Sequence, residues 1–329
     1  MPDAPILLWT DVSLHPAALD ALRGQVALSG PGVPPADAAD PSFEFERADA
    51  AIVSTRRIYG AASFARAPRL KVIARSGIGY DNVDVVAASA AGVCAVNTPA
   101  APTESTAEFA VGLMFAVARR IATADCGSKA GKWLSDSSVL GFDLAEKTLG
   151  LVGFGRIARR VSEMARAVRM QVCSYDPFVE PGTIAAAGVT PCADLNGLLA
   201  QAQVLSLHAP STPATRHLIG ADQLARLPRG AIVINTARGP LLDTDAVLAA
   251  LESGHLAGAG IDVWETEPAP TDHPLPRHPK VVATPHIANF TEEGRRRSHV
   301  SAARYALDAL RGTQPETLLD PAVWNSRRK

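Results

Sequence analysis

The sequence predicts an α/β protein of two doubly wound parallel-sheet domains, one inserted into the other. Three observations predict it. The chain has 329 residues, too many for one compact core. Short β-rich apolar runs alternate with Ala/Leu-rich stretches, the signature of βαβ units. Those runs show little polar alternation, as central parallel strands do when helices cover both faces.

Taken in order, strands are expected over 6–9, 51–53, 72–74, 149–152, 172–175, 204–207, 231–235 and 281–283, and helices over 83–90, 157–167, 195–200 and 244–251. One βαβ series runs to residue 96 and a second starts at 149. Between them an amphipathic helix is expected over 103–122, opened by Thr103, Ser105 and Glu108 after Pro102. A last helix over 291–310 is stopped by Gly312 and returns the chain to the first domain. The expected division is 1–100 plus 290–329 for a discontinuous outer domain and 101–289 for the inserted one. Residues 31–41 read as a short loop patch.

Composition narrows the function. Apolar residues make up 47%, charged residues 20%, and the formal net charge is -1. This is an ordinary globular balance, with no basic excess to track phosphates on a nucleic acid or to bind a membrane surface. Arg295, Arg296 and Arg297 form a short run expected on a solvated helix face. Cys94, Cys126, Cys173 and Cys192 are widely spaced with no CxxC pair, which fits reduced thiols and a cytoplasmic protein. No signal peptide is expected from residues 1–12, and no apolar run is long enough to span a bilayer. His273 and His278 lack zinc-site spacing, so no metal is expected.

The inserted domain opens with Gly153-x-Gly155-x-x-Ala158 between a strand and a helix. Gly153 permits a tight turn, Gly155 lets the backbone approach a pyrophosphate, and Ala158 allows close helix–strand packing. A second strand ends in Asp176 at the spacing required for an acid that hydrogen-bonds a ribose. Its charge would repel a 2′-phosphate and Pro177 follows instead of Arg, so NAD is expected in preference to NADP. Arg238, Glu267 and His286 follow strand-like segments of the second half, where ligands bind in such folds. Singly they admit structural readings: an ion-pair partner, a loop acid before Pro268, a turn cap. Jointly they supply a cation, an acid and an imidazole suited to oxidising an alcohol next to a carboxylate.

These three segments, with residues 153–157, resemble the D-isomer-specific 2-hydroxyacid dehydrogenase family, which includes phosphoglycerate dehydrogenases, glyoxylate and hydroxypyruvate reductases and D-lactate dehydrogenases. The resemblance covers nearly the whole chain. Residues 75–84 look like the family's substrate loop and 207–215, with Ala209, like its cofactor-side loop; Ala158 stands where Gly is commoner. The resemblance implies a Rossmann domain inserted into a flavodoxin-like substrate domain. It implies that His286 is the general acid/base, that Glu267 orients it and favours the imidazolium, and that Arg238 holds the substrate carboxylate and polarises the carbonyl. It further implies carboxylate binding by the Gly77 and Ile78 N–H groups. Cofactor contacts are implied at Arg156, Ile157, Thr236 and Ala237, with Asp262 on the nicotinamide carboxamide. Glu265 competes for the acid role; Glu267 is preferred because it occupies the family's Glu-Pro position. His208 is read as structural or cofactor-adjacent.

The expected activity is hydride transfer between NAD(H) and C2 of a small 2-hydroxy or 2-keto acid. The competing reading is an NAD(H)-sensing corepressor-like scaffold of the same fold, which would bind NADH and turn over no ketoacid. A formate-dehydrogenase-like enzyme needs no carboxylate partner for its histidine, so Glu267 argues against it; phosphite oxidation is chemically similar and stays open. Arg56 and Arg57, after a strand, either meet a substrate phosphate or second carboxylate or form a solvent-facing basic pair. The chain ends soon after Pro321, so no additional regulatory domain is expected. The resemblance also implies a homodimer, with the helix after Thr103 and the arm around Trp133 as interface. The domains are expected to close on cofactor and substrate.

Overall fold

The computed structural model describes residues 6–33, 44–269 and 271–329. Most of the loop patch at 31–41 lies outside the described residues. The chain forms two compact units, Met1–Pro102 with Phe290–Lys329, and Thr103–Asn289.

Among the described residues, the first unit has a five-stranded parallel sheet made of β1 (Leu7–Thr10), β2 (Ala27–Ser29), β3 (Ala50–Val53), β4 (Val72–Arg75) and β5 (Cys94–Val96). Its order is β2-β1-β3-β4-β5, the flavodoxin-like order. Alternate residues feed opposite cores. Leu8, Ile52, Val72, Ala74 and Cys94 pack with the helix Glu292–Leu310, while Trp9, Ala51, Val53, Ile73 and Ala95 face Phe64 and Ala88. Two buried faces explain why these strands lack polar alternation. Thr291 caps the helix, its side chain accepting from the Gly294 N–H at 2.9 Å, and Gly312 ends it at φ 79°. Thr291→Ala is expected to cost about 1 kcal/mol in urea unfolding; an unchanged midpoint would deny the cap any weight. The arginine run is only partly solvated. Arg297 is half-buried and donates to the Ala101 carbonyl, and Arg295 lies over the Phe290 ring.

The second unit has a seven-stranded parallel sheet: β6 (Thr148–Val152), β7 (Gln171–Tyr175), β8 (Thr190–Pro191), β9 (Val204–Leu207), β10 (Ala231–Asn235), β11 (Leu256–Ile261) and β12 (Val281–Ala283). The order β12-β11-β10-β9-β6-β7-β8 reverses direction between β6 and β9, the Rossmann arrangement. Leu149, Leu151, Val204, Ile232 and Ile234 face one core; Leu205, Leu207, Ala231, Val233, Ala259 and Ile261 face the other.

The helix expected over 103–122 is two helices, Thr103–Ala118 and Ile121–Lys129, separated by Arg120 in the left-handed region at φ 53°. A distant segment causes the break. The Phe142 N–H takes the Ala118 carbonyl at 2.9 Å, and Gly141 lies so close that a Cβ there would sit 2.4 Å from that oxygen. The helix expected from 83 starts at Val85, because Asp84 caps it by accepting from the Ala87 N–H. Strand β11 was not among the expected strands. Its sequence, LAGAGI, is small because the helix Thr103–Ala118 packs on it: a Cβ at Gly258 would meet Val117 at 2.6 Å. No helix among the described residues is long and apolar enough to cross a membrane.

Candidate functional site

The inserted-domain residues expected to bind cofactor or to react lie after strands, at the carboxyl edge of the seven-stranded sheet. Gly153 turns the chain out of β6 at φ 95°, and its N–H donates to the Tyr175 carbonyl at 2.8 Å. A Cβ on Gly153 would lie 2.8 Å from the His208 carbonyl oxygen, so the turn after β6 sits directly on the loop after β9. Gly155 caps the helix Arg156–Ala167, and a Cβ there would meet nothing within 4 Å. This turn leaves open space beside the exposed Arg156 and the half-buried Ile157 at the helix N-terminus. Such an end favours an anion.

Asp176 follows β7. Its Oδ2 accepts from the Phe154 N–H at 2.8 Å and its Oδ1 from the Phe178 N–H at 2.9 Å, which pins the carboxylate beside the glycine turn. An ionised carboxylate has further acceptor sites, enough for ribose hydroxyls. Ala209 is half-buried beside His208, whose ring meets the Ser206 hydroxyl at 3.0 Å. Burial pushes His208 down to about 4, so this imidazole is neutral at pH 7. After β10, Asn235 shapes the turn by accepting from the Ala237 N–H and donating to the Arg238 carbonyl. The Thr236 hydroxyl is buried with no hydrogen-bond partner among the described residues, a group that suits a bound polar ligand. Open space at Gly155, a pinned acid at Asp176 and the Thr236 hydroxyl together fit a dinucleotide.

The structure brings Arg238, Glu267 and His286 together. His286 Nδ1–H donates to Glu267 Oε2 at 2.7 Å, with the two side chains about a third exposed at 31% and 35%. Glu267 Oε1 accepts from the Trp264 N–H at 3.2 Å. Burial raises the Glu267 carboxyl. The hydrogen bonds from His286 and Trp264, with the nearby Arg238 charge, outweigh burial and hold it below the usual carboxylate range. Arg238 donates from Nη1 to the Ala237 carbonyl at 2.7 Å. Gly239 permits the approach: a Cβ on it would lie 1.9 Å from the Trp264 carbonyl carbon, so the Arg238 turn rests on the peptide leading to Glu267.

His286 is left-handed, at φ 56°, and Asp262 holds it there. The His286 N–H donates to the Asp262 carbonyl at 2.7 Å. The Asp262 carboxylate, fully buried, accepts from the Thr284 hydroxyl (2.6 Å) and from the Ile287 and Ala288 N–H groups (2.9 Å each). This role in building the His286 turn is one that the resemblance did not imply. Glu265 does not join His286; it accepts from His217 and Thr244. His273 and His278 each accept from a backbone N–H two residues on, of Leu275 and Lys280. No group of three or more His, Cys, Asp or Glu among the described residues is placed to hold a metal ion.

In the first unit the Gly77 N–H is committed to the Arg75 carbonyl at 2.9 Å, and the Ile78 carbonyl accepts from the Asn97 amide at 2.7 Å. The loop 54–58 is tied down by groups the sequence did not single out. Asp11 accepts from the Ser54 N–H (2.6 Å) and the Tyr59 hydroxyl (2.9 Å), and Asn82 donates to the Ser54 and Arg57 carbonyls. Arg56 is exposed, while the Arg57 guanidinium lies 5.4 Å from the Trp9 ring centroid.

Residues 111–288 match the family model described as D-isomer specific 2-hydroxyacid dehydrogenase, NAD binding domain. The chain is 40% identical over 255 residues to a D-3-phosphoglycerate dehydrogenase of Methanocaldococcus jannaschii, covering 78% of this chain and 48% of that one. It is 40% identical over 263 residues to a glyoxylate reductase of Korarchaeum cryptofilum, covering 79% of each. It therefore spans about half the length of the phosphoglycerate dehydrogenase it matches. Among solved structures, the TT0316 protein from Thermus thermophilus superposes with a TM-score of 0.85 at 36% identity, over 95% of this chain and 100% of that one. A D-lactate dehydrogenase from Aquifex aeolicus, complexed with NAD and lactic acid, gives 0.81 at 28% identity, over 93% and 96%.

Proposed function

Because the chain belongs to the D-isomer specific 2-hydroxyacid dehydrogenase family, we propose that it transfers a hydride between NAD(H) and C2 of a small D-2-hydroxy or 2-keto acid. The observation that carries this reading is the 2.7 Å bond from His286 to Glu267, with Arg238 in the next loop. With Nδ1–H on Glu267, the other ring nitrogen is the one left to exchange a proton with the C2 oxygen. During ketoacid reduction the imidazolium donates that proton; during oxidation the neutral ring accepts it. Glu267 stabilises the charged ring. Arg238 binds the substrate carboxylate and polarises the carbonyl with its planar donors. The Gly77 and Ile78 N–H groups are proposed as further carboxylate donors; the Gly77 N–H also donates to the Arg75 carbonyl.

NAD supplies or accepts the hydride. Gly153, Gly155, Arg156 and Ile157 would hold its pyrophosphate, Asp176 its adenosine ribose, and Ala209, Thr236 and Ala237 the remainder. Asp262, whose carboxylate accepts three hydrogen bonds in the His286 turn, would use its remaining acceptor site for the carboxamide. The test is a panel of 2-ketoacids with NADH and with NADPH, followed by loss of absorbance at 340 nm. Turnover with NADH is expected; tight NADH binding with no turnover on any ketoacid would favour the sensing scaffold instead. Asp176→Ser is expected to raise KM for NADH and to gain use of NADPH, by removing the charge that repels a 2′-phosphate. An unchanged cofactor preference would remove Asp176 from the ribose site.

Arg56 and Arg57 are the candidates for reading a phosphate or second carboxylate on the substrate, the alternative being a solvent-facing basic pair. If both alanine variants leave KM for phosphorylated and unphosphorylated ketoacids unchanged, neither arginine reads a substrate anion. A homodimer is proposed through the segment carrying Ile121, Trp133 and Leu140, exposed at 53%, 95% and 76%. Such a dimer would cover these three exposed apolar side chains. Light scattering at the monomer mass would refute it. Four free cysteines support a cytoplasmic location.

A further inference from the structure

Glu265 stands two residues from Glu267, yet its carboxylate serves a different set of partners. Oε2 accepts from His217 Nε2 at 2.7 Å and from Arg216 Nη2 at 3.4 Å. Oε1 accepts from the Thr244 hydroxyl at 2.7 Å and from the Thr244 N–H at 3.2 Å. These donors belong to two other loops. Arg216 and His217 end the loop after β9, which starts at His208 and Ala209. Thr244 opens the helix Thr244–Glu252, which follows the Arg238 turn after β10. Glu265 itself lies between β11 and Glu267. One carboxylate thus fastens three successive strand-end loops of the same sheet.

The backbone follows the same joints. The His217 N–H donates to the Pro240 carbonyl at 2.7 Å, and the Ile219 N–H to Leu241 at 3.0 Å. Gly239 packs on the Trp264 carbonyl and the Glu265 nitrogen. The Trp264 N–H reaches Glu267, and the Trp264 indole donates to the Thr284 carbonyl, two residues before His286. The carboxylate is 25% exposed. Burial raises its pKa, but the bonds from His217 and Thr244 outweigh burial and hold it ionised.

We infer that Glu265 is a positioning residue: by binding His217 and Thr244 at once, it sets the placement of Arg238 relative to the Glu267–His286 pair. The inference rests on the proposed reading of those three residues as the reacting set. It explains why an acid stands here as well as at 267. A carboxylate accepts on both oxygens and can serve both loops. Glutamine keeps one acceptor for Thr244, and its amide N–H₂ can re-pair with His217 Nε2 when the ring proton sits on Nδ1. Alanine loses both joints.

The test compares Glu265→Ala, Glu265→Gln and His217→Ala with the wild type. The readouts are ketoacid reduction, NADH binding by fluorescence quenching, and a crystal structure of each variant. Glu265→Ala is expected to lower kcat about 10- to 100-fold, because small misplacements of reacting groups cost this much. Its Kd for NADH is expected to rise by less than kcat falls, because the glycine turn and Asp176 lie outside the fastened loops. Glu265→Gln is expected to recover most of the lost kcat. The crystal structures are expected to show Arg238 displaced relative to Glu267 in the alanine variant and restored in the glutamine variant.

A Glu265→Ala enzyme with unchanged kcat overturns the inference, and so does a fall in kcat with Arg238, Glu267 and His286 unmoved. If Glu265→Ala does not fold, His217→Ala removes one joint, and the His217→Ala/Thr244→Val double variant leaves only the Thr244 N–H of the other; unchanged kcat in both overturns the inference, and a fall in kcat with Arg238 displaced supports it. If the wild type reduces no ketoacid, the functional reading has failed, and the crystal structures alone decide whether Glu265 places the three side chains.

Discussion

Replacing His286 with alanine is expected to lower kcat for ketoacid reduction by about 10²- to 10⁴-fold, the range spanned by general acid–base catalysis. The same change is expected to leave NADH affinity largely intact. His286 is built into a turn made by Asp262, whereas the features that fit the dinucleotide lie after β6, β7 and β10. Losing the imidazole removes the proposed proton donor for the C2 oxygen without touching Gly153, Gly155 or Asp176. Glu267→Gln is expected to fall less, because the amide still orients the ring while losing the charge that favours imidazolium. Steady-state kinetics with separate NADH titrations check both. A His286→Ala enzyme that keeps its kcat would remove His286 from the chemistry.

Gly239→Ala is expected to cost about 3 kcal/mol of stability, at the upper end of overpacking effects. A Cβ at this position would lie 1.9 Å from the Trp264 carbonyl carbon, 2.0 Å from its oxygen and 2.4 Å from the Glu265 nitrogen. All three are backbone atoms, so no side-chain rotation relieves the clash. The Arg238 turn and the Glu267 turn must separate, and kcat is expected to fall with stability. Gly112→Ala is the control. Gly112 is exposed on the helix Thr103–Ala118, and a Cβ there meets nothing within 4 Å. That variant is expected to gain up to about 1 kcal/mol from helix propensity. Urea unfolding of the pair checks the contrast; equal stabilities would mean that the two turns are not held in contact.

The parts of the site legible in the sequence were those whose chemistry is written in residue type and place. Gly153, Gly155 and Asp176 have a spacing set by the turn after β6 and by the end of β7, where Asp176 meets the Phe154 N–H. Arg238 and Glu267 follow β10 and β11, apolar strands almost wholly buried, and His286 follows the half-exposed edge strand β12. The holding groups were not legible, because their partners are distant in sequence. Nothing near Glu265 announces His217, 48 residues earlier. Asp262 gave no sign that it would bind the N–H groups of Ile287 and Ala288. Gly239 is one glycine among 25, marked only by the peptide it rests on. The same cause hid the fold's exceptions. Strand β11 is small and glycine-rich to admit a helix, and the helix break at Arg120 is made by Phe142 and Gly141.

The reaction itself is open to one direct measurement: incubate the protein with NADH deuterated at both C4 positions and a 2-ketoacid, then read C2 of the hydroxy acid by mass spectrometry and proton NMR. One deuterium at C2, in a product that the His286→Ala enzyme forms about 10²- to 10⁴-fold more slowly, is the result expected if a nicotinamide and the imidazole act on the same carbonyl. A hydroxy acid with hydrogen at C2, or no hydroxy acid from any ketoacid while NADH is bound, would contradict it.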